Sequence, residues 1–283
     1  MSCLHLAPLI STSVLTMKIS GCTFVISGGA SGLGRATAVE LNKEGGNIAI
    51  LDLNEDAGAE LVKQLGGPSR AKFFAVDVTD TESIAAAVKG TAEWVHETGK
   101  PLGGIVPAAG VGNPALILDG KNRPLSLQSL DFVLSINLRG TIDLVRQFLP
   151  QLSQSPPSVT PSGDKEHGVV VMVSSAAAFD GQMGQVSYAA SKGAVASMTL
   201  PMTRDLSRHG IRVVTIAPGT FETPMTSVLS DKVRISLEKA MEFPKRGGTA
   251  AEFAALTRHV IENVMLNGCV IRLDGGARMP SRL

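Results

Sequence analysis

Tyr188 and Lys192, within Ser187-Tyr188-Ala189-Ala190-Ser191-Lys192, are the residues whose types and spacing point most directly to chemistry. Tyr188 is the only tyrosine in 283 residues. Four positions apart on a helix, a phenol and an ammonium share one face, one turn from each other. An ammonium beside a phenol favours phenolate and draws the tyrosine pKa down from about 10, toward the pH at which a general acid/base works. The same spacing also describes an ordinary exposed helical pair. Its meaning therefore depends on what the rest of the chain places beside it.

A nucleotide site is the first such neighbour. Thr23 to Ile26 reads as a short buried strand, and Leu33 to Glu44 has the composition of a helix. Between them lies Ser27-Gly28-Gly29-Ala30-Ser31-Gly32-Leu33-Gly34. Glycines allow a tight turn and close approach of backbone to a ligand, while free N–H groups and the helix dipole attract a pyrophosphate. A second apolar run, Asn47 to Asp52, ends in a carboxylate 18 residues beyond Gly34. An acid at that distance accepts hydrogen bonds from adenosine ribose hydroxyls and repels a 2′-phosphate, which favours NAD over NADP. The competing role for Asp52 is to cap the next helix.

The β-α alternation continues. Glu55 to Leu65 reads as a helix, Ala71 to Val76 as a strand followed by Asp77-Val78, and the stretch from Thr81 as a helix with Ile84, Val88 and Val95 on one face. Gly104 to Gly110 reads as a strand entering a small-residue turn. Leu130 to Leu149 reads as an apolar helix interrupted by Asn137, an amide expected to hydrogen-bond in the core, bend the helix or hold water. Ser153 to His167, with three prolines and many hydroxyls, is expected to be a surface insertion without regular structure. Gly168 to Val173 is a β-branched strand that ends in Ser174-Ser175, at the sheet edge where open α/β sheets bind ligands. After the Tyr188 helix come a strand over Arg212 to Ala217, a long segment from Thr220 to Arg246 expected to cover the substrate, a helix from Glu252 to Val264 and a strand from Val270 to Leu273. Seven strands with intervening helices predict one Rossmann-type, doubly wound α/β domain with a parallel sheet, over residues 20–280.

Bulk properties narrow the function classes. Hydrophobic residues make up 44% and charged residues 18%, with a formal net charge of +1, so a nucleic-acid partner is not expected. Cys3, Cys22 and Cys269 form no disulfide framework and no ligand pattern with the five histidines, so neither disulfide nor metal is expected. No run of 18 apolar residues suggests a membrane span. Residues 1–19 read as an N-terminal extension, with Met17 an alternative start. Ser281-Arg282-Leu283 keeps the small, basic, leucine order of the Ser-Lys-Leu peroxisomal address, so a peroxisomal destination is expected ahead of a cytoplasmic one, with mitochondria less favoured.

Taken together, the glycine loop, Asp52, Asp77, Asn137, Ser175 and Tyr188-x-x-x-Lys192, in this order and spacing, resemble the short-chain dehydrogenases/reductases over roughly residues 20–278. Within that family, Ile216-Ala217-Pro218-Gly219-Thr220-Phe221-Glu222-Thr223-Pro224 and Ile271-Arg272-Leu273-Asp274-Gly275 are most similar to the branch that acts on 3-hydroxyacyl-CoA. The resemblance implies an NAD-dependent, homotetrameric enzyme. Tyr188 would be the general acid/base, Lys192 would lower its pKa and bind the nicotinamide ribose, and Ser175, thirteen residues before Tyr188, would hold the substrate oxygen. Asn137 would hold a water linking Lys192 to solvent. The cofactor would be met by Ser27, Gly28, Ser31, Gly32, Leu33, Gly34, Asp52, Asp77, Val78, Ala109, Gly110, Pro218, Gly219 and Thr223, and the substrate by Gln182 and Gln185. One departure stands out: Pro107-Ala108-Ala109-Gly110 has proline where the family has an asparagine that ties the turn to its neighbours, which implies weaker cofactor affinity. The alternatives are a steroid or specialised-metabolite hydroxyl as substrate, or a non-catalytic NAD-binding scaffold.

Overall fold

The computed structural model describes residues 19–159, 163–227 and 231–279. The N-terminal extension up to residue 18, the alternative start at Met17 and the Ser281-Arg282-Leu283 tail lie outside them. Seven strands form one parallel sheet: β1 (Thr23–Ser27), β2 (Asn47–Asp52), β3 (Ala71–Ala75), β4 (Leu102–Pro107), β5 (Gly168–Val173), β6 (Ile211–Pro218) and β7 (Val270–Leu273), in the order β3-β2-β1-β4-β5-β6-β7. The inner strands are near-continuous apolar runs because both faces of a parallel sheet are covered. Edge strands β3 and β7 are only partly buried.

Side chains alternate between two cores, as the pleat requires. Phe24, Ile26, Ile48, Ile50, Val171 and Ile216 face Leu41 of helix α1 (Gly32–Lys43), Leu61 of α2 (Glu55–Gln64) and Phe253 of the last helix. Val25, Ala49, Leu51, Val170 and Met172 face Ile84 and Trp94 of α3 (Thr81–Thr98), Phe148 of a following helix and Val195 of the Tyr188 helix. Strand order reverses between β1 and β4, whose final residues Ser27 and Pro107 are paired. The crevice beyond such a reversal is where this architecture accommodates ligands.

Two elements differ from the sequence expectation. The apolar helix expected over Leu130 to Leu149 is a composite of α4 (Leu127–Leu134), a π-helical segment Ser135–Gly140 and α5 (Thr141–Gln154). The insertion is not wholly irregular, since Ser158–Val159 and Lys165–Glu166 pair antiparallel. Glu166 anchors that pair through a 2.6 Å ion pair with Arg212, both side chains being buried. Arg212 in turn donates to the carbonyls of Val260 and Ile261 near the end of the last helix. The long segment from Thr220 to Arg246 is partly regular. It carries α7 (Pro224–Ser227) and α8 (Asp231–Lys239), and Phe221–Glu222 pairs with Gly248–Thr249 ahead of α9 (Ala250–Glu262).

Candidate active site

The glycine loop closes tightly on itself and on β4. Gly28 has φ +63, and a Cβ there would come 2.9 Å from the Ala109 backbone; a Cβ on Gly34 would come 2.2 Å from the Gly28 carbonyl. Larger residues would therefore push the loop away from the sheet edge. Ser31 precedes α1 with no side-chain cap, so the first N–H groups of the helix are left to a ligand. At the end of β2, one Asp52 carboxylate oxygen accepts from Ala30 N at 3.0 Å and the other from Asn54 N at 3.1 Å. The capping of α2 falls to Asn54, which accepts from Ala57 N. Asp52 thus ties β2 to the glycine loop. Asp77 accepts from both the backbone N–H and the hydroxyl of Thr79. Val78 packs under Gly140, where a Cβ would come 2.8 Å from the Val78 carbonyl.

Helix α6 (Val186–Leu206) carries Tyr188, half-buried, and Lys192, buried, on the face toward the cavity. Lys192 donates from Nζ to the Val173 carbonyl at 2.9 Å and its Nζ lies 5.9 Å from the Tyr188 ring centre. Burial lowers Lys192 to about 8. The expectation that Lys192 draws the Tyr188 phenol down is not met within the chain. Burial raises the Tyr188 pKa, opposed only in part by a hydrogen bond with Ser175. Desolvation disfavours the charged forms of both groups. Ser175 Oγ also accepts from Ala177 N at 3.1 Å, which starts the 3-10 turn Ala176–Ala178. Its neighbour Ser174 donates to the Lys192 carbonyl at 2.7 Å and is structural.

Asn137 sits in the π segment, fully buried. Its side chain accepts from Val111 N at 2.8 Å and donates to Val111 O at 2.9 Å and to Ser191 Oγ at 3.1 Å. This clamp holds the turn after β4, and a Cβ on Gly110 would lie 3.2 Å from Asn137 Oδ1 and 3.4 Å from Lys192 Nζ. Ala108 N and Ala109 N donate to the carbonyl and hydroxyl of Ser27 at 3.1 and 3.3 Å. Ser27 therefore ties the turn to β1 despite Pro107.

A cavity of about 540 Å³ joins these parts. Of the residues expected from the sequence, its lining includes Gly28, Ser31, Gly32, Leu33, Gly34, Ala109, Gly110, Ser175, Tyr188, Lys192, Pro218, Gly219 and Thr223. Ser27 and Asn137 lie immediately behind it. Asp52, Asp77 and Val78 do not line it, though Asp52 reaches the glycine loop through Ala30 N. Gln182 and Gln185 do not reach it either: Gln182 N donates to Gln185 Oε1 at 3.0 Å in the loop before α6. Val111, Met225 and Thr226 line the cavity and were missed. Thr226 carried a local signal in Thr-Pro-Met-Thr, since its Oγ1 accepts from Thr223 N and donates to the Phe221 carbonyl. Val111 and Met225 carried none. Among the described residues no cluster has the make-up of a metal site, and no helix is long and apolar enough to cross a membrane.

Residues 23–234 match the family described as short chain dehydrogenase. The chain is 42% identical to 3-hydroxyacyl-CoA dehydrogenase type-2 of Drosophila melanogaster over 92% of this chain and 99% of that protein. It is 40% identical to the protein of the same name from Homo sapiens, over 93% and 97%. Among solved structures, 3-hydroxyacyl-CoA dehydrogenase type-2 from Mycobacterium avium superposes with a TM-score of 0.84 at 34% identity, covering 92% of this chain and 97% of that one.

Proposed function

Because the chain belongs to the short-chain dehydrogenase family, we propose that it interconverts a 3-hydroxyacyl-CoA and the corresponding 3-oxoacyl-CoA with NAD. The observation that carries this reading is the convergence of Ser175, Tyr188 and Lys192 on the cavity that the glycine loop and the uncapped α1 terminus also line. Relatives at about 40% identity supply the acyl-CoA class.

The residues present fit NAD. The α1 N–H groups suit its pyrophosphate, and Gly28 and Gly34 let the loop pack against the Ala109 turn and on itself, which holds the α1 terminus at the cavity. The Asp52 carboxylate stands at the end of β2, beside the glycine loop, on the side suited to an adenosine ribose. NAD supplies a hydride acceptor when bound, and NADH a donor. The protein's part is to hold the substrate carbon in place and to manage one proton. Ser175 donates to the substrate oxygen and fixes its distance from Tyr188. In the reductive direction the Tyr188 phenol protonates that oxygen; in the oxidative direction phenolate removes the alcohol proton. Lys192 would hold the nicotinamide ribose. The Asn137 side-chain amide is committed to Val111 and Ser191, and its main-chain carbonyl accepts from Thr141 Oγ1 at 2.8 Å. The relay water that would link Lys192 to solvent is proposed beside this segment, where Asn137 Oδ1 and Lys192 Nζ both border Gly110.

A homotetramer is the proposed assembly. Leu127, Phe132 and Ile142 of the α4–α5 arm and Leu200 of α6 are exposed apolar residues that a second copy would cover. Light scattering on purified protein checks this, and a monomer would overturn it. The proposed destination is the peroxisome, from the Ser281-Arg282-Leu283 tail. Deleting these three residues should return a tagged protein to the cytosol. For the reaction, NADH absorbance is followed with 3-hydroxyacyl-CoAs of several chain lengths, a hydroxysteroid and simple secondary alcohols. Turnover of the steroid without turnover of any acyl-CoA would replace the substrate proposed here.

A further inference from the structure

Arg272 has no part in the chemistry described above, yet three segments of the site meet on it. Its guanidinium donates from Nε to Asp274 Oδ2 at 2.6 Å, from one terminal nitrogen to Asp180 Oδ2, and from the same nitrogen to the Ala277 carbonyl at 3.1 Å. It also stacks 5.4 Å from the centre of the Phe179 ring. The Arg272, Asp180 and Asp274 side chains are 23%, 19% and 8% exposed, so water screens these contacts far less than it would a surface pair. Asp180 is bonded directly to the Ser175 segment, since Asp180 N and Phe179 N both donate to the Ala176 carbonyl. On the other side, Asp274 packs against Gly219, where a Cβ would come 2.8 Å from Asp274 Cβ, and Gly219 N donates to Leu273 O. Gly219 lines the cavity.

We infer that Arg272 is a positioning residue that fixes Ser175 against Tyr188 and the cofactor-side turn at Gly219. Two short paths support it: Arg272 to Asp180 to Ala176, adjoining Ser175, and Arg272 to Asp274 to Gly219. The planar fork suits this task, because one guanidinium engages two carboxylates at fixed angles while its face rests on an aromatic ring. A lysine would keep the charge and lose that geometry.

The inference rests on the assignment of Ser175, and the only tyrosine of the chain gives a readout that separates the two. Phenolate absorbance near 295 nm titrates Tyr188 alone. Removing the Ser175 hydrogen bond should raise the Tyr188 midpoint, whereas general loosening of the site admits water and should lower it. The expected result is that R272M and S175A each raise the midpoint, and that the double variant goes no further. R272K should lie between R272M and the wild type. A lowered or unmoved midpoint in R272M, with native circular dichroism, overturns the positioning role. An unmoved midpoint in S175A removes the Ser175 assignment and this inference with it. Should R272M fail to fold, D180N breaks the same ion pair from the other side and is read by the same criteria. Turnover supplies a second cycle that needs no high pH. With acetoacetyl-CoA and NADH, kcat/KM should fall roughly ten- to hundredfold in R272M, with no further loss on adding it to S175A. Additive losses overturn the inference. If the wild type does not reduce acetoacetyl-CoA, the proposed substrate fails while the tyrosine titration still decides the role of Arg272.

Discussion

At the scale of single residues, Tyr188 and Lys192 share the cavity wall, and desolvation there penalises the charged form of each. A phenol whose pKa is raised is fully protonated at neutral pH, ready to protonate a ketone but not to deprotonate an alcohol. Oxidation should therefore accelerate as pH rises above neutrality, while reduction stays level until the phenol itself titrates. A rising profile in one direction beside a level one in the other is the expected outcome, and parallel pH profiles would contradict the acid/base assignment. Tyr188→Phe removes the proton and should lower turnover by roughly 10²–10⁴-fold while NADH still binds, as measured by fluorescence titration. Asp52→Ala tests the ribose contact. Asp52 also holds Ala30 N, so the variant should lose affinity for NAD and narrow its preference over NADP. An unchanged ratio of kcat/KM for the two cofactors would remove Asp52 from that role.

At the scale of elements, what was legible in the sequence is what depends on local pattern. Buried parallel strands are apolar runs with few alternatives, so Asn47 to Asp52 and Gly168 to Val173 carry their boundaries in their composition. The glycine loop was legible for a related reason, since Gly28 and Gly34 stand where no side chain fits. The π segment was not legible, because its cause is distant in sequence. Asn137 is held by Val111 and Ser191, and Gly140 by the Val78 carbonyl. The short antiparallel pair inside the insertion was missed similarly, since Glu166 takes its partner from β6. That ion pair yields an element-scale prediction. Burial raises the Glu166 pKa despite Arg212, so the carboxylate depends on its partner. Arg212→Leu would strand a buried acid and remove the donors to the Val260 and Ile261 carbonyls. It should cost about 3–5 kcal/mol in urea unfolding. Glu166→Gln in the same background should recover part of that loss, and a loss below about 1 kcal/mol would show that the pair does not anchor the insertion.

At the scale of the whole molecule, the ammonium that serves the site also burdens the fold. Lys192 is lowered to about 8 from 10.5, so between those pH values the unfolded chain binds a proton that the folded protein does not. Stability must then rise with pH across that window, because the state that binds more protons is favoured as pH falls. Below pH 8 both states are protonated and the full penalty is present, on the order of 3 kcal/mol by the size of the shift. Tyr188 acts in the opposite sense. Its raised pKa makes the folded state the stronger proton binder above about pH 10, which confines the rise to roughly pH 8–10. Urea unfolding of the wild type at intervals from pH 7 to 10 should show this gain relative to Lys192→Met. The variant should be the more stable protein at pH 7 and should lose that advantage toward pH 10. Curves that stay parallel over the range would mean that Lys192 keeps its ordinary proton affinity in the fold.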